Sequence, residues 1–461
     1  MIKLGAKTDR AEQMGQERIP QLLWRFSVPA VIGMIVNSLY NIVDRIFIGN
    51  AVGSLGIAGI TIGFPIMMLV MACDMLVSLG AAALISIKLG EGKQQEAEQV
   101  MGNAMVLMVF VSLLIMTLGL IFLQPLLQVF GASPDVMPFA YDYMSIIIFA
   151  TVFMSIGFGM NNIIRAEGNP KVAMYTMLIG AIANIILDPI FIFGFGWGVR
   201  GAAIATVIAR LMSTTWVLYY FFSGQSVLRL RLPNLRLRPQ VALRIAAIGS
   251  APFAMQTAGS IMNLIMNRSL VSYGGDVAVA AMGVVFSASM LIMMPIIGIN
   301  QGAQPIIGYN YGAQRYDRVV QTLKLAAAVA TCITSLGFVI AQLFPGHIIA
   351  LFNPNDPQLL NLGARAIQIA TIFLPIVGFQ IISTSYFQAV GKPKQAMILS
   401  LSRQVLLLIP LVLILPRFFG LDGLLYSLPL SDLGSSTITA IWITMELKHL
   451  LRSQQLAESN A

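Results

Sequence analysis

Long apolar runs alternate with short polar breaks along almost the whole chain, and each run is close to the roughly 20 residues that cross a bilayer as a helix. Twelve such runs are read, at 22–48, 55–81, 100–123, 139–164, 172–193, 200–222, 243–270, 277–308, 319–344, 361–387, 395–415 and 421–446. The breaks carry turn chemistry, as in Gly90-Glu91-Gly92-Lys93, Gly131-Ala132-Ser133-Pro134, Gly168-Asn169-Pro170 and Asn353-Pro354-Asn355-Asp356-Pro357. The pattern predicts an all-α polytopic membrane protein with twelve transmembrane helices. Composition agrees: 57% of the residues are hydrophobic and only 10% charged, against about 25% charged in a soluble domain. The net charge of +9 does not point to nucleic acid, because the basic residues are scattered through the breaks and form no patch or stripe. The lipid bilayer is the expected surrounding.

Basic residues alternate from break to break. Eighteen Lys and Arg fall in the N-terminal tail, every second loop and the C-terminal tail; the other loops hold only Arg200 and Arg417. The positive-inside rule then places both termini in the cytoplasm of a multi-pass protein of the cell inner (plasma) membrane. The first 21 residues are polar and the first apolar run is of full membrane length, so no cleavable signal peptide is expected. The chain also repeats itself at an offset of about 223. Pro29 matches Pro252, Asp44-Arg45 matches Asn267-Arg268, and Gly198 and Gly201 match Gly420 and Gly423. Ala166-Glu167-Gly168-Asn169-Pro170-Lys171 matches Ala389-Val390-Gly391-Lys392-Pro393-Lys394. Two six-helix lobes related as parallel internal repeats are therefore expected, an organisation characteristic of secondary transporters. The division is a cytoplasmic tail 1–21, an N-lobe 22–222, a cytoplasmic linker 223–241, a C-lobe 242–446 and a cytoplasmic tail 447–461.

Candidate chemistry sits where ionisable groups interrupt the apolar runs, since such groups are costly in lipid. Asn184 and Asp188 are four apart and share one helix face. Pro189 follows and removes a backbone donor, which frees a nearby carbonyl. Asn37, Tyr40 and Asp44 lie at spacings of three and four on the first run, and Thr206 lies on the sixth. Two carboxylates with amide and hydroxyl oxygens suit a hard cation such as Na⁺, and two close carboxylates also hold a proton between them. Two alternatives stay open: Asp188 as a structural polar group tied to a neighbouring helix, and Arg45 as the ion-pair partner of Asp44. The second half does not repeat these charges: Asp44 becomes Asn267, and Asp188 falls near Ile409. Its seventh run offers a neutral face of Gln256, Ser260, Asn263 and Asn267 instead. Methionines cluster at 67, 68, 71 and 75 and at 282, 290, 293 and 294; flexible thioethers suit either packing or promiscuous binding. Asp74, Arg210, Arg365, Arg403 and Asp432 are further charges in or near spans, with Asp74 open to a proton route or to helix packing.

Several chemistries are excluded. Cys73 and Cys332 both lie in apolar runs, and His347 and His449 sit near run ends, so neither a disulfide framework nor a metal cluster is expected. No cofactor is implied. Gly196-Trp197-Gly198-Val199-Arg200-Gly201 fits a dinucleotide fingerprint but lies between two spans, and no phosphate-binding P-loop occurs.

The run Asn41-Ile42-Val43-Asp44-Arg45-Ile46-Phe47-Ile48-Gly49 after Pro29 resembles the first helix of the multidrug and toxic compound extrusion (MATE) family. Arg165-Ala166-Glu167-Gly168-Asn169-Pro170-Lys171, Asn184-Ile185-Ile186-Leu187-Asp188-Pro189 and Gly201-Ala202-Ala203-Ile204-Ala205-Thr206 resemble its later N-lobe motifs. The resemblance covers nearly the whole chain and is greatest to the bacterial MepA/DinF-like branch. It implies two V-shaped lobes and efflux of amphipathic, often cationic, drugs or toxic organic compounds in exchange for H⁺ or Na⁺ by alternating access. It implies that Asp44, Asn184, Asp188 and Thr206 match the family's cation site, with Tyr40 lining the same cavity. The polar faces of the first and seventh runs make Asn37, Tyr40, Gln256, Ser260, Asn263 and Asn267 the candidate lining of a substrate cavity. Another branch carries an acid on the seventh helix where this chain has Ser260, which puts a C-lobe cation site in doubt. A monomeric, non-enzymatic transporter is expected. The rival reading is a flippase for a lipid-linked substrate on a related scaffold, which would want an Arg or Lys cluster for phosphate.

Overall fold

The structure, a computed structural model, describes residues 5–351 and 356–459, without the side chains of residues 5–10, 41, 45, 54, 451 and 453–459. The turn at 353–355 and the side chain of Arg45, both singled out above, lie outside the described residues.

Among the described residues the chain folds into twelve apolar spans. Six are single helices, Ile19–Val52, Leu55–Gly90, Gln94–Ile121, Pro170–Gly194, Gly198–Phe222 and Tyr316–Leu343. They are spans 1, 2, 3, 5, 6 and 9. Spans 4 and 10 are each broken: Met137–Phe149 bends by 56° into Thr151–Ala166, and Pro357–Ala370 bends by 50° into Leu374–Ala389. The two longest helical stretches each contain two spans. Pro239–Gly312 turns at Gly275 (φ 64°, ψ −165°) into spans 7 and 8, and Pro393–Leu450 turns at Gly420 (φ 57°, ψ −137°) into spans 11 and 12. Both turns sit in conformations that cost L-residues energy and glycine little.

The backbone repeats as the sequence does. The left-handed residues Gly53, Gly92, Gly168 and Gly198 of the first half recur as Gly275, Gln314, Gly391 and Gly420 in the second. The broken spans 4 and 10 are likewise equivalents. This is the two-lobe, parallel-repeat architecture. Gln314 is the one non-glycine at positive φ among the described residues (58°), where the first half uses Gly92. Gln314→Gly should therefore stabilise the protein by up to about 1 kcal/mol, because the left-handed strain removed exceeds the chain entropy added. A thermal melt in detergent checks this, and an unchanged or lower Tm would refute it.

The lobes meet at the end of the molecule that carries both termini. Spans 2 and 8 cross so closely that a Cβ on Gly90 would overlap the Tyr309 carbonyl, and one on Gly312 the Ile87 carbonyl. Gly80 is pressed in the same way on the Ile245 carbonyl and Gly249 on the Leu76 carbonyl, while Gly302 lies against the Ser27 hydroxyl and backbone and Gly298 against the Val31 side chain and backbone. Farther along, Ser38 donates to the Met294 sulfur (2.9 Å) and Gln256 to the Met68 sulfur (2.7 Å).

The segment leading into each half is gripped by the other half. Residues 5–16 form a helix, Gly5–Gln16, whose Met14 is fully buried. The carbonyls of Met14, Gly15 and Glu17 accept from Asn310 (2.9 Å), Arg315 (2.5 Å) and Arg318 (2.6 Å) at the junction of spans 8 and 9. The stretch between spans 6 and 7 is laid along span 3. Gln94 donates to the Val227 carbonyl (2.7 Å), Arg229 N–H to Glu98 (3.1 Å), and Arg238 N–H to Asn103 (2.7 Å). Its Ser226 and Leu228 also donate to the buried Glu167, as does Tyr220. Burial pushes the Glu167 carboxyl up to about 7, against the pull of these donors.

Candidate functional site

Spans 1, 4, 5 and 6 build a buried polar site inside the N-lobe. Span 5 supplies Asn184 and Asp188 one turn apart, 2% and 0% exposed. Pro189 denies Ile185 its helical donor, and the helix continues as a π-turn over Ile190–Gly194. Such turns re-aim side chains and recur at functional sites. Asn184 Nδ2 donates to Asp188 Oδ1 (3.2 Å) and to the Thr206 hydroxyl of span 6 (3.3 Å). Asp44, on the buried face of span 1, brings its carboxyl within hydrogen-bonding reach of Asp188. One turn earlier on span 1, the Tyr40 hydroxyl accepts from Arg210 Nη2 (2.7 Å), whose guanidinium also lies 5.7 Å from the Tyr40 ring centroid.

The predicted residues Asp44, Asn184, Asp188, Thr206 and Tyr40 thus converge from three separate stretches of sequence. Two further residues belong with them. Tyr143 of span 4 is 4% exposed and sits within charge range of Asp44, Tyr40, Asp188 and Arg210. The sequence signal for it is a tyrosine within an apolar span, whose hydroxyl needs a partner. Arg210 is one turn beyond Thr206 on span 6, a spacing visible in the sequence but not connected there to Tyr40.

The chemistry of the cluster is that of too many acceptors. Asp188 Oδ2 and Asn184 Oδ1 are buried with no hydrogen-bond donor among the described residues, and a second carboxyl faces the first. Unpaired buried acceptors cost free energy, and two facing carboxylates repel. A proton or a small hard cation between them removes both penalties at once.

The other candidate residues lie elsewhere. Asn37 is half-buried on span 1, one turn before Tyr40, while Gln256 lies across the lobe boundary against Met68. Ser260, Asn263 and Asn267 are exposed on span 7, beyond the contact of Gln256 with Met68. Asp74 of span 2 faces Ser155 of span 4. In the C-lobe, Asp432 pairs with Arg403 (2.6 Å), and Arg365 pairs with Asp422 (2.8 Å). Asp432 stands at the repeat position of Arg210, so the two lobes carry opposite charges there. No group of three or more His, Cys, Asp or Glu poised to hold a metal occurs among the described residues.

Comparison with known proteins gives concordant results. The family model MatE matches residues 29–190 and again 252–414, two copies offset by the repeat length. The chain is 27% identical over 441 residues to the "Multidrug export protein MepA" of Staphylococcus haemolyticus, covering 95% of each chain. It superimposes on a solved structure of the "MATE multidrug transporter DinF-BH" with a TM-score of 0.88 at 42% identity, over 95% of this chain and 98% of that one. A more distant structure, the outward-facing conformation of a multidrug resistance MATE family transporter, shares the fold with a TM-score of 0.89 at 23% identity, over 96% and 99%.

Proposed function

The chain belongs to the MATE family, on its MepA/DinF-like branch, and we propose that it exports amphipathic, often cationic, organic compounds in exchange for H⁺ or Na⁺. It is a multi-pass membrane transporter and not an enzyme. The observation that carries the coupled reading is the N-lobe cluster, in which Asp188 Oδ2 has no donor among the described residues and a second carboxyl stands beside it. The export reading is supported by the names of the relatives that span the whole chain.

In this reading Asp44 and Asp188 take up the coupling ion, Asn184 and Thr206 supply neutral oxygens to it, and Tyr143 holds the carboxyls in register. The lobes, residues 22–222 and 242–446, move about the contact between them. With the terminus-bearing end closed, the cleft faces outward. Ion entry then drives drug release, and one charge moving through 100 mV supplies about 2.3 kcal/mol. Asn37, Tyr40, Gln256, Ser260, Asn263 and Asn267 line the substrate path between the lobes. The protein acts as a monomer in the cell inner (plasma) membrane, with tails 1–21 and 447–461 and the linker 223–241 in the cytoplasm.

Dye efflux from inverted vesicles, with Na⁺ and pH gradients imposed separately, tests the coupling. One gradient should drive efflux; failure of both would defeat the antiport reading. Orientation has its own check. A cysteine at Ser133 should react with an impermeant thiol reagent from outside intact cells, and one at Gln94 should react only after permeabilisation. The opposite labelling pattern would invert the topology.

A further inference from the structure

A small cavity of about 20 Å³ lies between the lobes near their closed end, lined by Ser86, Asn162 and Arg165 from one lobe and Gln301 and Gln304 from the other. Arg165 is 7% exposed. It donates to Asn162 Oδ1 (2.5 Å) and, across the boundary, to Gln301 Oε1. Both partners are neutral amides. Among the described residues Arg165 forms no ion pair, and the nearest acid in sequence, Glu167, is turned away onto Tyr220 and Ser226. The end of its own helix at Ala166 offers only a partial negative charge. A desolvated guanidinium without a counter-charge is among the most costly arrangements a protein interior can hold. Here it borders a space that admits one or two water-sized particles, with the Gln301 and Gln304 amides on the facing wall.

We propose that this cavity binds a small monovalent anion of chloride size, held by the Arg165 guanidinium and the amide donors of Gln301 and Gln304, and that the anion pins the two lobes together at the terminus-bearing end. The Asn162 and Gln301 amides turn their oxygens to Arg165. The Ser86 hydroxyl donates to the Ala82 and Ala166 carbonyls and Asn162 N–H₂ to the Phe158 carbonyl, which leaves the Gln301 and Gln304 N–H₂ groups as the amide donors for an anion. Because spans 2 and 4 contribute one wall and span 8 the other, the ion is lost when the lobes part here. The inference stands whichever ion drives export.

The test is thermal unfolding of the purified protein in detergent, with sodium chloride replaced stepwise by sodium gluconate at constant ionic strength. Chloride should raise Tm saturably, and bromide should substitute for it. Arg165→Gln should abolish the dependence. Gln304→Met keeps the charge and the bulk but removes a donor, and should raise the half-saturating chloride concentration by about tenfold. That second variant decides the matter if the first does not fold. Equal Tm in chloride and gluconate, or an unaltered chloride response in Gln304→Met alongside Arg165→Gln, would overturn the site.

Discussion

Replacing Gly249 by leucine should cut efflux by at least tenfold at equal expression and expose the terminus-bearing end of the lobe boundary to solvent. At Gly249 an added Cβ would overlap the Leu76 carbonyl of span 2, and at Gly80 it would overlap the Ile245 carbonyl of span 7. Neither obstacle is the tip of a flexible side chain. Backbone can yield only if a whole helix moves, so the overpacking cost of about 1–3 kcal/mol falls on the closed arrangement of the lobes. In the proposed alternating-access cycle, the arrangement with the lobes parted at this end does not bear it. Only about 1.4 kcal/mol changes a two-state ratio tenfold, so one side chain is enough to shift the population. Gly283, on span 8, has nothing within 4 Å of its Cβ direction, and Gly283→Ala should leave transport unchanged. The check is efflux together with thiol labelling of a cysteine placed at Leu79, which lines the boundary cavity. Normal efflux and unchanged labelling in Gly249→Leu would mean that the close crossing does not govern the lobes.

The paired crossings explain why the fold is legible from the chain and where legibility stops. Apolar runs of membrane length and turn residues between them give the spans, and the recurrence of Pro29 as Pro252 and Gly198 as Gly420 gives the repeat. The bends at Ala150 and Thr371 lie inside apolar runs, where hydrophobicity is the same on both sides of a break. The grip of residues 14–17 on Arg315 and Arg318 uses backbone carbonyls, which every residue possesses, so no side-chain pattern announces it. The stretch 223–241 reads as a linker from its basic residues and prolines, yet its backbone is held along span 3 by Gln94, Glu98 and Asn103. In the site, Asp44, Asn184, Asp188 and Thr206 stand out because polar groups are rare in lipid. Arg210 follows Thr206 by one turn and Tyr143 interrupts an apolar run, but their contacts with Tyr40 and the carboxyls are not readable from the chain, because the face a helix turns inward depends on its neighbours. Arg165 is visible in the sequence as part of a motif, but that no acid pairs with it among the described residues emerges only once span 8 is placed against it.

Neutralising either N-lobe carboxylate should abolish ion-coupled efflux, and neutralising both should be little worse than neutralising one. Asp44 and Asp188 lie 144 positions apart in the chain and meet through the packing of spans 1 and 5. If one proton or cation satisfies both, each carboxylate is useless without the other, and residues acting as a unit are not additive. Asn267→Ala, at the repeat position of Asp44, should reduce transport far less, because it removes no charge. Drug affinity should survive better than efflux in the aspartate variants if, as proposed, apolar and thioether surface between the lobes supplies much of it.

The most direct measurement is therefore a double-mutant cycle on gradient-driven efflux with Asp44→Asn, Asp188→Asn and the pair, with drug binding measured in detergent on the same preparations. A shared ion site predicts coupled efflux lost in all three to a similar degree, with binding largely retained. Single variants that still exchange drug for ion at the normal rate, or losses that multiply in the pair, would contradict it.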